Sequence, residues 1–224
     1  MSTSRGSSRR KASATARPTG GLREGSAPVS GSRSVTSAAT LSVMDVLTGL
    51  GLSGAAGLNA WLPAFAGALL TRLGVVDLGA PFDELSETPA LIVLGVLTTA
   101  DFVGDKIPAL DHVLHSVGTV IAPLSGTVLF TGETDASVIV SLLAGGTTAG
   151  AVHAVRSVVR PVSTVTTAGV GNPVLSLLED IGSAVLTLFA FVVPVLAVLA
   201  VVGVLVLGLV LWLRRRRRAS AASA

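Results

Sequence analysis

From Pro173 to Leu213 the chain runs for about 40 mostly apolar residues, and five consecutive arginines, Arg214 to Arg218, follow. One helix of that length would measure roughly 60 Å, about twice the hydrocarbon thickness of a bilayer. Pro194 stands near its middle, so the run is read as two spans divided there. One long, kinked and tilted helix is the alternative. Composition agrees with a membrane chain. Half of the 224 residues are hydrophobic, 13% are charged and the mean hydropathy is +0.76, whereas soluble domains carry about a quarter charged residues. The fold class expected is an all-α, polytopic transmembrane bundle.

A span needs about 20 mostly apolar residues. Val46–Leu70 qualifies as a first. Pro89 to Lys106 is a second, Pro108 restarting the chain after it because the residue before a proline avoids the helical region. Pro108–Phe130 is a third and Ala136–Val155, dense in Gly, Ala and Thr, a fourth. With the final run divided, six spans are expected, or five if that run is one helix.

The basic residues support six. With the N-terminus inside, fifteen of the sixteen Lys and Arg fall inside and Arg72 alone outside, as the positive-inside rule requires. Five spans would place Arg214 to Arg218 outside. The localisation expected is a bacterial cytoplasmic membrane with both termini cytoplasmic; the bias to 14 Arg over two Lys, with abundant Ala, Gly and Val, fits a GC-rich bacterial genome. Residues 1–43 read as a disordered basic tail, 44–213 as the membrane domain and 214–224 as a basic cytoplasmic tail. The first tail lacks the apolar core of a signal peptide, and its Arg- and Ser-rich composition also fits a transit peptide. Met44, immediately before the apolar sequence, is an alternative start.

Several function classes are excluded. Without cysteine there is no disulfide scaffold, thiol nucleophile or thiolate metal site. There is no tyrosine, and six Phe with two Trp are too few for base-stacking surfaces. The charge of +3 and pI near 10.5 come mainly from the two basic blocks that flank apolar sequence, so the partner expected is the bilayer, with anionic headgroups at Arg214, Arg215, Arg216, Arg217 and Arg218, and not nucleic acid. The Walker spacing and the GxSxG elbow are absent. No cofactor is expected and a metal is left open.

Ionisable residues inside membrane spans are costly and usually face a polar interior. Asp101 lies about 12 residues, roughly 18 Å, into its span, and its short side chain does not snorkel. Asp105, four residues on, shares its helix face. Two close acids can share a proton or a cation. Asp111 and His115 have the same spacing and could pass a proton or ligate a metal, or simply mark a helix start at the surface. His153, Arg156 and Arg160 continue the fourth span at helical spacing. The two arginines either pair with Glu179 or Asp180 or snorkel to the interface. Asn172-Pro173 is a turn and helix start, with Glu179 and Asp180 in the turns that follow. Gly51, Gly54 and Gly57, and Gly145, Gly146 and Gly150, let helices approach closely.

An internal repeat is also suggested. Residues 53–60 can be laid over 147–154, and 101–104 over 179–182, which would make a 3+3 inverted repeat like that of many transporters.

The Asp105-Lys-Ile-Pro-Ala-Leu-Asp111 segment, the Gly-Gly stretch leading to His153 and Arg160, and Gly171-Asn-Pro-Val-Leu-Ser-Leu-Leu-Glu-Asp180 resemble a bacterial membrane family known as domain of unknown function 4126. Gly57-Leu58 fits as well. The resemblance spans roughly residues 44–213. It implies a multi-span membrane protein with no established activity. It points to Asp105, Lys106, Pro108, Asp111, Asn172, Pro173, Glu179 and Asp180 as motif positions. A basic residue often follows Gly57-Leu58 in that family; here Asn59 stands there, so no charge role is carried over to it.

The function expected is a small transporter or channel for an ion or small polar solute. Asp101, Asp105, Lys106, Asp111, His115, His153, Glu179 and Asp180 would form its cytoplasm-facing cavity. The alternative is a membrane-organising or partner-binding protein whose helices are locked by the Lys106, Arg156 and Arg160 charges. A membrane enzyme with an Asp/His metal site is a third reading.

Overall fold

The Ser42 hydroxyl accepts the Asp45 N–H at 3.1 Å and so caps the first helix, α1, Val43–Leu58. That helix comes from a computed structural model describing residues 42–104, 107–167 and 171–222, without the side chains of 108–112, 162–166 and 218–222. The described residues are helical throughout their regular structure. After α1 come α2 (Leu62–Arg72), α3 (Phe82–Leu85), α4 (Thr88–Gly104) and α5 (Pro108–Thr134). A short α6 (Val138–Ser141) leads through a π-helical turn, Leu142–Gly146, into α7 (Thr147–Thr167). The chain closes with α8 (Asn172–Val192) and α9 (Pro194–Ala222).

Four stretches are long and apolar enough to cross a membrane: Val113–Thr134, Val138–Pro161, Asn172–Val192 and Pro194–Arg217. Apolar side chains stand out from the bundle all along them, Ile139 and Val192 among the most exposed. A surface of that extent, on helices long enough to span, is favourable in a hydrocarbon environment. The 17-residue α4 is apolar but shorter.

Small residues let α1 run through the middle of the bundle, with Leu52, Ala55 and Ala56 fully buried. Its contacts fix the direction of its neighbours. Gly49 abuts Phe130, and the Ser53 hydroxyl lies 2.9 Å from the Gly126 carbonyl, so α5 runs antiparallel to α1. Gly57 packs on Ala149 and Val152 while Ser53 faces Gly145, so α7 runs parallel to it. Gly51 meets Ala190, and the Ser183 hydroxyl donates to the Ala55 carbonyl at 3.0 Å, so α8 is antiparallel. Gly51 also meets Ala197, and Gly54 meets Val201, so α9 is parallel again. The division at Pro194 is therefore a true reversal. Val193 leaves the helical region at φ −141°, ψ 76°, and α9 folds back along α8. A single kinked helix does not occur.

The reading of Val46–Leu70 as one span is corrected. The helix stops at Leu58 and restarts at Leu62, and Asn59 makes the break. It sits at φ −141°, ψ 116°, and its side-chain oxygen accepts the N–H groups of Trp61 and Leu62 at 3.1 and 3.0 Å. Pro63, in the first turn of α2, has no N–H to satisfy there. From this break α2 turns back. Phe65 lies against Gly95, Gly67 against Phe82, and Arg72 donates to the Ser86 carbonyl at 3.0 Å. Phe82 in turn fills a notch at Gly132, near the end of α5. Thus α1 begins and α2 ends at the same end of the bundle, and the break lies inside it. A Schellman turn closes α2: Gly74 at φ +69° gives its N–H to Thr71, and Val75 gives its N–H to Leu70.

The two ends differ in charge. Asp45, Asp77, Asp83, Glu84, Glu87, Glu133 and Asp135 gather at the end where α1 starts, with Arg72 the exception among the described residues. Arg156, Arg160 and Arg214 to Arg218 gather at the other. Because α1 and α2 together return to their starting end, the start of α1 and the end of α9 lie at opposite ends. The expectation of both termini on one side counted the broken pair as one crossing. Nor do the suggested repeats superpose. Residues 53–60 and 147–154 lie on helices running the same way, whereas 101–104 and 179–182 lie on helices running opposite ways. One inversion cannot relate both pairs.

Candidate functional site

Ala60 and Trp61, in the turn after Asn59, form one wall of a cavity of about 180 Å³ in the arginine-rich half of the bundle. Trp61 closes it from the broken helix, Asp101 from α4, His115 and Gly118 from α5, and His153 and Arg156 from α7. The remaining wall is mostly aliphatic, from Leu97, Leu114 and Ile121 among others. An apolar wall with a few convergent polar groups is the usual build of a small-molecule site.

Helical spacing explains the convergence. His153 and Arg156 are three residues apart on one face of α7, and Ser157 follows a turn after His153. Across from them α5 offers Gly118, whose missing side chain leaves room for His153. A Cβ there would lie 2.8 Å from its Cε1. The His115 and His153 rings stack with centroids 4.9 Å apart and planes inclined by 24°. Ser157 donates to the His153 carbonyl at 3.2 Å, and its oxygen lies 3.0 Å from His115 Nε2. That proton assignment makes Nε2 of His115 a donor. His153 is 4% exposed, and among the described residues neither of its ring nitrogens has a hydrogen-bond partner. A buried polar group left so costs about 1–3 kcal/mol, and such groups call for an explanation.

Behind the cavity lies a buried ion cluster. Arg156 Nη2 and Arg160 Nη2 both donate to Glu179 Oε2, at 2.8 and 2.7 Å. All three side chains are at most 11% exposed. Asp180, next to Glu179 and also buried, accepts the Asn59 amide N–H at 2.9 Å. The α1–α2 break, α7 and the start of α8 are thereby tied together.

Of the residues expected at the site from sequence, Asp101, His115 and His153 line the cavity, and Glu179 and Asp180 stand behind it. Arg156 does both. Arg156 and Arg160 pair with Glu179 and do not snorkel to the interface. Asn172 and Pro173 open α8. Asp105 and Lys106 lie outside the described residues, as do the side chains of Pro108 and Asp111. Among the described residues no three His, Asp or Glu side chains come close enough to hold a metal ion. Residues at the site that were not expected from sequence include Asn59, Trp61, Gly118 and Ser157. Asn59 alone carried a signal, an Asn four residues before a Pro inside an apolar run, which marks a helix start.

A family model described as Domain of unknown function (DUF4126) matches residues 46–214, covering the whole bundle from α1 to the first arginine of the terminal run. The chain belongs to the DUF4126 family. No curated protein and no solved structure matches it. In this DUF4126 protein the Asn172-Pro173 and Glu179-Asp180 positions fall on one helix. The first pair starts it and the second pair anchors it to α7 and to the broken helix.

Proposed function

We propose that this DUF4126 protein is a small transport protein, a carrier or channel for an ion or small polar solute that reaches the cavity from the arginine-rich end. The observation that carries this reading is a helix interrupted inside the bundle whose tip borders a cavity with a few convergent polar groups. Interrupted helices at mid-membrane depth are how many transporters form their substrate sites, because the free helix ends and exposed backbone interact with the solute. Here the start of α2 brings its positive dipole end to the cavity wall at Ala60 and Trp61.

In the membrane we place five crossings, α4, α5, the α6–α7 helix, α8 and α9, with α1 and α2 as a re-entrant pair. The arginine-rich end is cytoplasmic by the positive-inside rule. The acidic end and the start of α1 face outward, in the cytoplasmic membrane of a bacterium. Among the 15 residues before α1 the only basic one is Arg33, and only positive charges close to a span weigh on its orientation. Arg214 to Arg217 are exposed at the end of α9, with the Arg216 guanidinium 4.2 Å over the Trp212 ring. This pair suits the headgroup layer of an anionic leaflet.

The test uses the natural absence of cysteine. Asp101→Cys and Leu114→Cys should each react with an impermeant thiol reagent from the arginine-rich side alone. Asp101→Asn should keep the melting temperature in detergent while losing solute flux in proteoliposomes. A second reading, a membrane-organising protein, draws on the buried clamp of Arg156 and Arg160 on Glu179. Failure of both cysteines to react from either side, with Asp101→Asn unfolding the protein, would replace the first reading by the second.

A further inference from the structure

The cavity also constrains what it can hold, and this step rests on reading it as a solute site. Three features act together. First, size: about 180 Å³ is little more than the engineered cavity of about 150 Å³ that accommodates benzene, so the occupant has only a handful of heavy atoms. Second, hydrogen bonding: His153 is buried, and among the described residues its two ring nitrogens have no partner. A neutral imidazole offers one donor and one acceptor, so the occupant that satisfies it carries at least one of each. Third, charge: among the described residues the cavity presents one carboxylate, Asp101, and one guanidinium, Arg156, on different helices. Arg156 is already shared with Glu179. A bare cation would face Arg156 and a bare anion would face Asp101, each in a largely aliphatic surround where unscreened repulsion is strong.

We infer that the cavity at His153 is a binding site for a small, net-neutral organic solute that carries both a hydrogen-bond donor and an acceptor, an amide or a zwitterion of short-amino-acid size. The acceptor end, a carbonyl or carboxylate, lies toward Arg156 and the start of α2. The donor end, an amide N–H or an ammonium, lies toward Asp101. His153 contacts the middle of the solute, and the aliphatic wall covers its carbon atoms.

Trp61 reports directly on this site, because it lines the cavity and the only other tryptophan is Trp212 near the far end of α9. In a Trp212→Phe background, the detergent-solubilised protein is titrated with acetamide and alanine, and with acetate and methylammonium as the charged counterparts. The expected result is a saturable change in Trp61 emission for the net-neutral solutes, with affinity at least about tenfold above that for either ion. His153→Phe should abolish it, and His153→Gln, which keeps a donor and an acceptor, should retain it within about tenfold. Equal binding of the ions, no saturable change with any probe, or undiminished binding in His153→Phe would each overturn the inference. If His153→Phe does not fold, Leu97→Phe fills the cavity from α4 and should give the same loss; binding that survives there overturns it equally. Binding without flux would sink the transport reading and leave this site standing. Thiol access and flux of ions without net-neutral binding would do the reverse.

Discussion

Asn59 accepts two backbone N–H groups with its side-chain oxygen and gives its amide N–H to Asp180. Both functions need an amide: a leucine of similar size would leave two helix-start donors and a buried carboxylate without these bonds. Asn59→Ala should therefore lower stability by about 1–3 kcal/mol, read as a drop in apparent melting temperature in detergent. Glu179 is more exposed to risk. One of its two oxygens, Oε2, receives both guanidinium groups, and removing one member of a buried ionic cluster costs about 3–5 kcal/mol. Glu179→Gln is expected to cost that much, whereas Arg215→Ala, on the exposed end of α9, should change stability by less than about 0.5 kcal/mol. A Glu179→Gln protein as stable as the parent would show that the two arginines find other acceptors. The sequence placed Arg156, Arg160 and Glu179 near one another through helical spacing and a short connection. It did not show that both arginines converge on one oxygen, because that depends on how α7 and α8 pack.

At the scale of elements, glycine decides how close the helices come. A Cβ at Gly126 would sit 2.6 Å from the Gly145 carbonyl oxygen and 2.5 Å from the Ala149 Cβ. Backbone cannot yield there, so Gly126→Ala should force α5 and α7 apart and cost at least about 1–3 kcal/mol. Gly203 on α9 has nothing within 4 Å of the same position, so Gly203→Ala should be neutral or stabilise by up to about 1 kcal/mol through helix propensity. The pair of melting temperatures tests the packing of α1, α5 and α7 without any assay of function. Most helices were legible in the sequence because apolar length and proline positions mark them, and Pro194 gave the α8–α9 reversal. The first span misled for a physical reason. Apolar content reports burial, and α1 and α2 are as apolar as a spanning helix although the chain reverses between them. The change of direction is held by a side-chain cap and a proline, which a hydropathy window does not register.

For the whole molecule, how the broken pair is counted decides on which side of a membrane each end of the bundle is read. Counting it as one crossing gives six spans and both tails on one side. Counting it as re-entrant gives five crossings with the acidic end of the bundle opposite the arginine-rich end. The same arrangement opens the cavity, since the tip of the pair borders it through Ala60 and Trp61. The deciding measurement is the sidedness of single cysteines in oriented vesicles, using an impermeant thiol reagent. Asp45→Cys at the start of α1, Val75→Cys after α2 and Val138→Cys at the start of α6 should all be modified from one side. Ile107→Cys before α5 and Arg216→Cys on α9 should be modified from the other. Labelling of positions 45 and 75 from opposite sides would make α1 and α2 a full crossing and contradict the re-entrant pair on which the account rests.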